Sequence, residues 1–342
     1  MRKLLGGAVL ALAMTTIIAT DHPAAAGTLD TVRQRGHLVC GVNTGLPGFS
    51  YLDGQGKWRG LDIDMCGAVA AAVLGDATKA SYVPLTAATR FTAVQTGEVD
   101  MLVRNSTVTL QRDTALGLQY AGINFYDGQA VAVTKAAKVT KMEELKGTTI
   151  CIAQGTTHEL TLADWFRGHK LDYKPVVFEN QDRMYEAFFA GRCDAMTQDA
   201  SALAAAITSV SGHPDDYMIL PERISKEPLG PFVRHGDDQW LDIVRWSLMA
   251  MIEAEELGVA QANVDDKLKD ADPRIQRLLG VSEGNGKALG LDEKWAYQIV
   301  KQIGNYGDSY ERNVGKASAL KLDRGPNALW TNGGLMYAIP LR

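Results

Sequence analysis

The residues with the clearest chemistry are Thr107-Val108-Thr109 followed by Arg112. A guanidinium fork holds a carboxylate through two parallel charge-assisted hydrogen bonds, and a threonine hydroxyl can add a third. The same spacing also suits a solvated arginine in the first turn of a helix. Gln154-Gly155-Thr156-Thr157 falls between an apolar run and a helical pattern. There the glycine lets backbone approach a ligand, and the free N–H groups of a helix start attract anions; an ordinary threonine N-cap would look the same. Asp199 has the opposite charge, fit to pair with an ammonium group or simply to cap a helix over 200–208. Arg112 and Asp199 on opposite sides of a site suit a zwitterion, which tolerates burial only when both charges are paired and hydrogen-bonded. Phe49 and Tyr51 could cover a ligand's aliphatic stem, or pack beneath their own loop.

Other chemistries lack their residues. His158-Glu159 is followed by Leu160-Thr161-Leu162, so no second histidine completes a zinc-protease helix. Gly54, Gly56 and Gly60 have the wrong spacing for a dinucleotide loop, and the nucleophile elbow G-x-S-x-G does not occur. The six histidines are scattered without metal-ligand spacing. Neither a metal nor a cofactor is expected.

What must position these groups is a repeated unit. Residues 90–102 read RFTAVQTGEVDML and residues 184–196 read MYEAFFAGRCDAM. Without a gap, Phe91 falls on Tyr185, Ala93 on Ala187, Gly97 on Gly191 and Asp100 on Asp194. Each copy is an apolar-periodic helix, a glycine stop and a short strand, the αβ half of a βαβ unit. Such a spacing suggests two similar lobes. Polar clusters follow both strands, Arg104-Asn105-Ser106-Thr107 and Gln198-Asp199, and Asn105 in the first copy corresponds to Asp199 in the second. Ligands collect beyond the carboxyl ends of strands in open α/β sheets, so the arrangement describes a cleft.

The 342 residues, 46% hydrophobic and 22% charged, leave room for two cores. A formal net charge of −5 without a basic cluster argues against nucleic acid as a partner. Arg2-Lys3, the apolar run from Leu4 to Ala19 and Ala24-Ala25-Ala26 read as a secretory signal peptide over 1–26, cut before Gly27. Four cysteines in an exported chain suggest disulfides. Four cysteines allow three pairings. Because two precede the Tyr126 region and two follow it, Cys40–Cys66 and Cys151–Cys193 are favoured, one within each lobe. The pattern places lobe 1 over 27–124 and 230–342, lobe 2 over 130–224, and paired crossings near 125–129 and 225–229. A helix is expected over 239–257; residues 258–342 read as mixed helix and Gly/Asn-rich loop.

The chain resembles the amino-acid-binding components of bacterial ABC importers, the periplasmic type II binding proteins. The matching pieces are Gly60-Leu61-Asp62-Ile63-Asp64, the G-E-V-D strand, Thr107-x-Thr109-x-x-Arg112, Gln154-Gly155-Thr156-Thr157, and Gly191-Arg192-Cys193-Asp194-Ala195 leading to Asp199. Arg104-Asn105-x-Thr107, Lys226-Glu227-Pro228-Leu229-Gly230-Pro231 and the long tail look most like the general L-amino-acid-binding branch. The resemblance implies an α/β fold of two lobes, each a mixed sheet flanked by helices, joined by two hinge strands. It also implies that Arg112 and Thr107 grip the ligand α-carboxylate, helped by backbone N–H groups near Asn105, Gly155 and Thr156. Asp199 then takes the α-ammonium. The implied protein is a monomeric periplasmic binder, not an enzyme, that delivers L-amino acids to inner-membrane permease subunits. Small Ala87, where narrow-specificity relatives carry an aromatic wall, suggests breadth. Gly304-Asn305-Tyr306-Gly307-x-x-Tyr310-Glu311-Arg312 resembles the family's closing helix, but an insertion precedes it. Two other classes compete: a dehydratase acting on cyclic carboxylic acids, which needs a general acid in the cleft, and a membrane-linked sensor module, which needs a span.

Overall fold

The computed structural model describes residues 27–342; the expected signal peptide over 1–26 lies outside the described residues. Alternating strands and helices build two five-stranded sheets. The first runs Ala80–Leu85, Leu38–Asn43, Met101–Leu102, Phe232–Arg234, Leu118–Tyr120, and the second Lys174–Phe178, Thr149–Ala153, Ala195–Asp199, Gln129–Thr134, Tyr217–Ile219. In both, the first three strands are parallel and the next joins antiparallel. The central strands are buried, with Leu38, Cys40 and Val42 in one sheet and Ile150, Cys151 and Ile152 in the other. This explains why they read as continuous apolar runs rather than alternating ones.

The repeat has a physical purpose. Helices Arg90–Thr96 and Gln181–Phe189 are followed by left-handed glycines, Gly97 at φ 78° and Gly191 at φ 74°. The aligned aspartates then do one job twice. Asp100 Oδ2 accepts from the backbone N–H of Val39 at 2.7 Å, and Asp194 Oδ2 accepts from that of Thr149 at 2.7 Å. Each carboxylate fixes the register of its short strand against the central strand beside it.

The chain leaves the first sheet through Phe125–Asp127 and returns through Glu227–Leu229. These two crossings pair antiparallel, Asp127 opposite Glu227 and Phe125 opposite Leu229. The disulfides are Cys40–Cys66, strand to helix Leu61–Leu74, and Cys151–Cys193, strand to the turn before Ala195–Asp199. Both pairings match the sequence reading. No described helix is long and apolar enough to cross a membrane.

The tail that pattern could not place packs on lobe 1. Helix Asp238–Glu256 buries Trp240, Ile243, Val244, Leu248 and Met251, and the short helices Trp295–Gln302 and Tyr306–Asn313 pack against it. Ser309, Arg312 and Asn313 all donate to Asp64 Oδ2, at 2.6, 2.5 and 2.6 Å. Further on, Asn327 brackets one crossing: its Oδ1 accepts from the N–H of Tyr126 at 2.6 Å and its Nδ2 donates to the same residue's carbonyl at 3.0 Å. A carboxamide here stands in for a third strand. A cavity of about 900 Å³ lies between this tail, the crossings and helix Ala200–Ser209.

Candidate functional site

The two positions related by the repeat meet where the lobes touch. Asn105, at φ 31°, lies in the loop after strand Met101–Leu102. Its N–H donates to Asp62 Oδ2 at 3.0 Å, and its Oδ1 accepts from Asn43 at 2.9 Å. With the carboxamide oriented by those contacts, Nδ2 reaches Asp199 Oδ2 across the contact at 3.3 Å. Asp62 is buried, and burial pushes its carboxyl up to about 6 against its hydrogen bonds. It is delivered by Gly60, whose φ of 126° allows the loop carbonyls of Gly48 and Phe49 to receive the first N–H groups of helix Leu61–Leu74. A Cβ at Gly60 would lie 2.0 Å from the Phe49 oxygen.

Asp199 makes no side-chain cap to its helix. It instead faces His158 Nε2 at 3.0 Å, both side chains almost fully buried. Beside this pair, the hydroxyls of Thr107 and Thr157 both donate to Glu227 Oε2, Thr157 at 2.8 Å. Thr107 comes from lobe 1, Thr157 from lobe 2 and Glu227 from a crossing, so three parts of the chain converge on one carboxylate.

Lobe 1 contributes three buried guanidiniums, those of Arg90, Arg104 and Arg112. Thr109 caps the short helix of Arg112, accepting from its N–H at 3.2 Å. The Arg112 side chain then folds back to donate to the Thr107 carbonyl at 2.9 Å and lies over the Phe91 ring. Arg104 Nε donates to the Leu85 carbonyl at 2.8 Å. Arg90 donates to the carbonyls of Ala87 at 2.5 Å and Gly155 at 3.4 Å, while its Nε is buried without a partner among the described residues. All three thus donate to backbone carbonyls rather than to carboxylates. Burial lowers the pKa of each, Arg104 to about 10 and Arg90 well below its ordinary range. A guanidinium keeps its charge regardless, so the corner is strongly attractive to anions.

Across from them, Thr156 turns its hydroxyl to the Ala153 carbonyl at 2.7 Å and leaves the start of helix Thr157–Gly168 without a side-chain cap. Gly155, at φ 73°, brings that turn against Ala87 and Ala88. Uncapped N–H groups facing three guanidiniums can hold a carboxylate from both sides. The space enclosed by these residues is about 10 Å³, room for a single water.

The structure therefore brings together Arg112, Thr107, Asn105, Thr156, Gly155 and Asp199. It does not bring Phe49: that ring is 1% exposed and packs edge-on against Phe125 in the lobe 1 core, so the packing alternative holds. Ala87 is buried, and its carbonyl accepts from Arg90 at 2.5 Å. Sequence reading missed Arg90, His158 and Glu227, and placed Arg104 at the cleft without giving it a role. Arg90 opens the repeated helix, where an arginine ordinarily reads as solvated, and His158 carries no sequence signal beyond an incomplete zinc motif. Glu227 lies in a proline-flanked segment whose partner strand is distant in sequence.

Residues 38–263 match the bacterial extracellular solute-binding proteins, family 3. The chain is 49% identical over 340 residues to the general L-amino acid-binding periplasmic protein AapJ of Rhizobium johnstonii, covering 99% of this chain and 97% of that one. It is 50% identical over 320 residues to the glutamate/glutamine/aspartate/asparagine-binding protein BztA of Rhodobacter capsulatus, covering 93% and 94%. A solved periplasmic binding protein of an ABC transporter from Brucella ovis, with glutathione bound, superposes with a TM-score of 0.91 at 50% identity, over 93% of this chain and 100% of that one. With its two similar sheets, paired crossings and charged interlobe contact, the chain belongs to family 3 of the bacterial extracellular solute-binding proteins.

Proposed function

We propose that this protein is the substrate-binding component of an amino-acid ABC transporter, capturing L-amino acids of fairly broad range between its lobes for delivery to membrane permease subunits. One observation carries the reading: three buried guanidiniums, without carboxylate partners among the described residues, lie within the same interlobe contact as buried Asp199. A zwitterion fits both ends: its carboxylate supplies the counter-charge the guanidiniums lack, and its ammonium group matches the buried carboxylate of Asp199. The names of the relatives AapJ and BztA support that ligand class. A dehydratase finds no such support among them.

Arg112, Thr107 and the N–H groups at Gly155 and Thr156 take the α-carboxylate, and Asp199 takes the α-ammonium. Because about 10 Å³ separates these groups, admission of a ligand requires the lobes to part on the crossings Phe125–Asp127 and Glu227–Leu229. Asn327 and Tyr306 hold the crossing from the lobe 1 side, so lobe 2 is the moving part. Small-angle scattering is expected to show compaction with saturating L-glutamate, and a panel of L-amino acids to raise the melting temperature by mass action, D-isomers having no effect. A flat panel would refute the binding function; a single responding amino acid would refute the breadth.

Arg90 and Arg104 exceed what one α-carboxylate needs. They favour ligands with a second carboxylate or a carboxamide, in keeping with the ligands in the name of BztA and with glutathione in the Brucella protein. Replacing Arg90→Met is expected to weaken L-glutamate by about 1.5–3 kcal/mol, the worth of a hydrogen bond to a charged group, with a much smaller effect on L-alanine. Calorimetry on both ligands checks this, and equal losses would remove Arg90 from the side-chain end.

A further inference from the structure

His158 is a buried side chain at the interlobe contact that the grip does not use. It is the second residue of helix Thr157–Gly168 and is 4% exposed. Its Nε2 lies 3.0 Å from Asp199 Oδ1, while the other oxygen of that carboxylate accepts from Asn105. An imidazole thus holds the place beside Asp199 that an ammonium group needs. Its Nδ1 is buried without a partner among the described residues. The charged groups bearing on the ring are Asp199 at its strand end, Glu227 on the returning crossing and Arg112 from lobe 1. Asp127 on the outgoing crossing and Arg90 on the repeated helix bear in turn on Asp199. His158, Asp199 and Glu227 present their donor atoms within 4.8 Å of one another. Such a corner draws cations, and His158 is the cation the chain itself can supply. Burial pushes the imidazole pKa down, but the charge and hydrogen bond of Asp199 outweigh it and hold it above the usual histidine value.

We propose that His158 is an internal substitute for the ligand's ammonium group, paired as imidazolium with Asp199 until an amino acid arrives and giving up its proton when the ammonium takes its place. The proposal rests on the reading of Asp199 as the ammonium receptor. Before capture the imidazolium is paired with Asp199, with the Glu227 carboxylate beside them. After capture a second cation beside the ammonium would be repelled, so the ring N–H proton passes to solvent and the imidazole stays neutral. No bond between heavy atoms changes. Linkage then fixes the sign. Affinity rises with pH, by up to about tenfold per pH unit, between the histidine's pKa in the complex and its higher pKa in the free protein, and levels off above that window.

Calorimetric titration with L-glutamate in Pipes and in Bis-Tris, from about pH 6 to about pH 8, reads proton exchange from the difference in heats. Release approaching one proton per ligand inside the window, together with the matching affinity slope, is the expected result. His158→Gln is expected to abolish both. Glutamate binding without proton release, or an unchanged slope in His158→Gln, would overturn the exchange and leave the amino-acid grip standing. Failure of the wild-type protein to bind any L-amino acid would overturn the grip, and the exchange with it. If His158→Gln does not fold, the histidine ring resonances of the wild-type protein, titrated with and without L-glutamate, decide the matter. One pKa that falls on binding supports the proposal, and none that moves overturns it.

Discussion

Asp199→Ala and Arg112→Ala are each expected to weaken L-glutamate by about 3–5 kcal/mol, because removing one partner leaves a buried charge uncompensated. On the affinity scale that is a loss of more than about a hundredfold. The expected routes differ. Arg112 lies over Phe91 and donates to the Thr107 carbonyl, so its loss also frees the loop carrying Thr107. Asp199 holds His158 and Asn105, so its removal leaves a buried imidazole and a carboxamide without their partner. Asp199→Asn separates charge from shape, since an amide oxygen can still accept from Asn105; it is expected to lose nearly as much affinity as the alanine variant. Calorimetry measures all three. Near wild-type binding by Arg112→Ala or Asp199→Ala would mean that the charge serves something other than the ligand.

How much of this was legible in the sequence depended on the range of the signal. The repeat was legible because helix period, glycine stop and strand lie within thirteen residues, and it carried the correspondence between Asn105 and Asp199 that the structure turns into a contact. The disulfides were legible because each joins neighbours within one half of the chain. Phe49 was undecidable from its own position: whether an aromatic loop residue faces out or in depends on Phe125, which lies on a crossing far along the chain. The convergence of Glu227 on Thr107 and Thr157 was invisible for the same reason, since three distant segments must be in place first. Arg90 looks in sequence like any solvated arginine, and Arg104 is placed at the cleft only by its strand end; burial marks both as site residues. The tail resisted because its helices are short, such as Asn285–Leu289, and take their stability from packing on lobe 1 rather than from pattern.

Breaking either disulfide is expected to destabilise its own lobe. Loop closure over 26 residues for Cys40–Cys66 corresponds to about 3.5 kcal/mol, by the entropic rule for cross-links. Over 42 residues for Cys151–Cys193 the same rule gives about 4 kcal/mol. The functional consequences should differ. Cys66 lies one helical turn after Asp62, the residue that receives the Asn105 N–H, so Cys40→Ala with Cys66→Ala loosens the support of the cleft in lobe 1. Cys193 precedes strand Ala195–Asp199, whose end carries Asp199, so Cys151→Ala with Cys193→Ala loosens the other wall. Chemical denaturation of each double variant, with amide exchange to localise the change, measures both effects. Exchange should rise in the lobe that lost its bridge and stay unchanged in the other, because each bridge lies within one sheet-containing lobe. Peptide mapping without reduction gives the prior check: a bridge from Cys66 to Cys151 would tie the lobes together and forbid the parting that ligand admission requires.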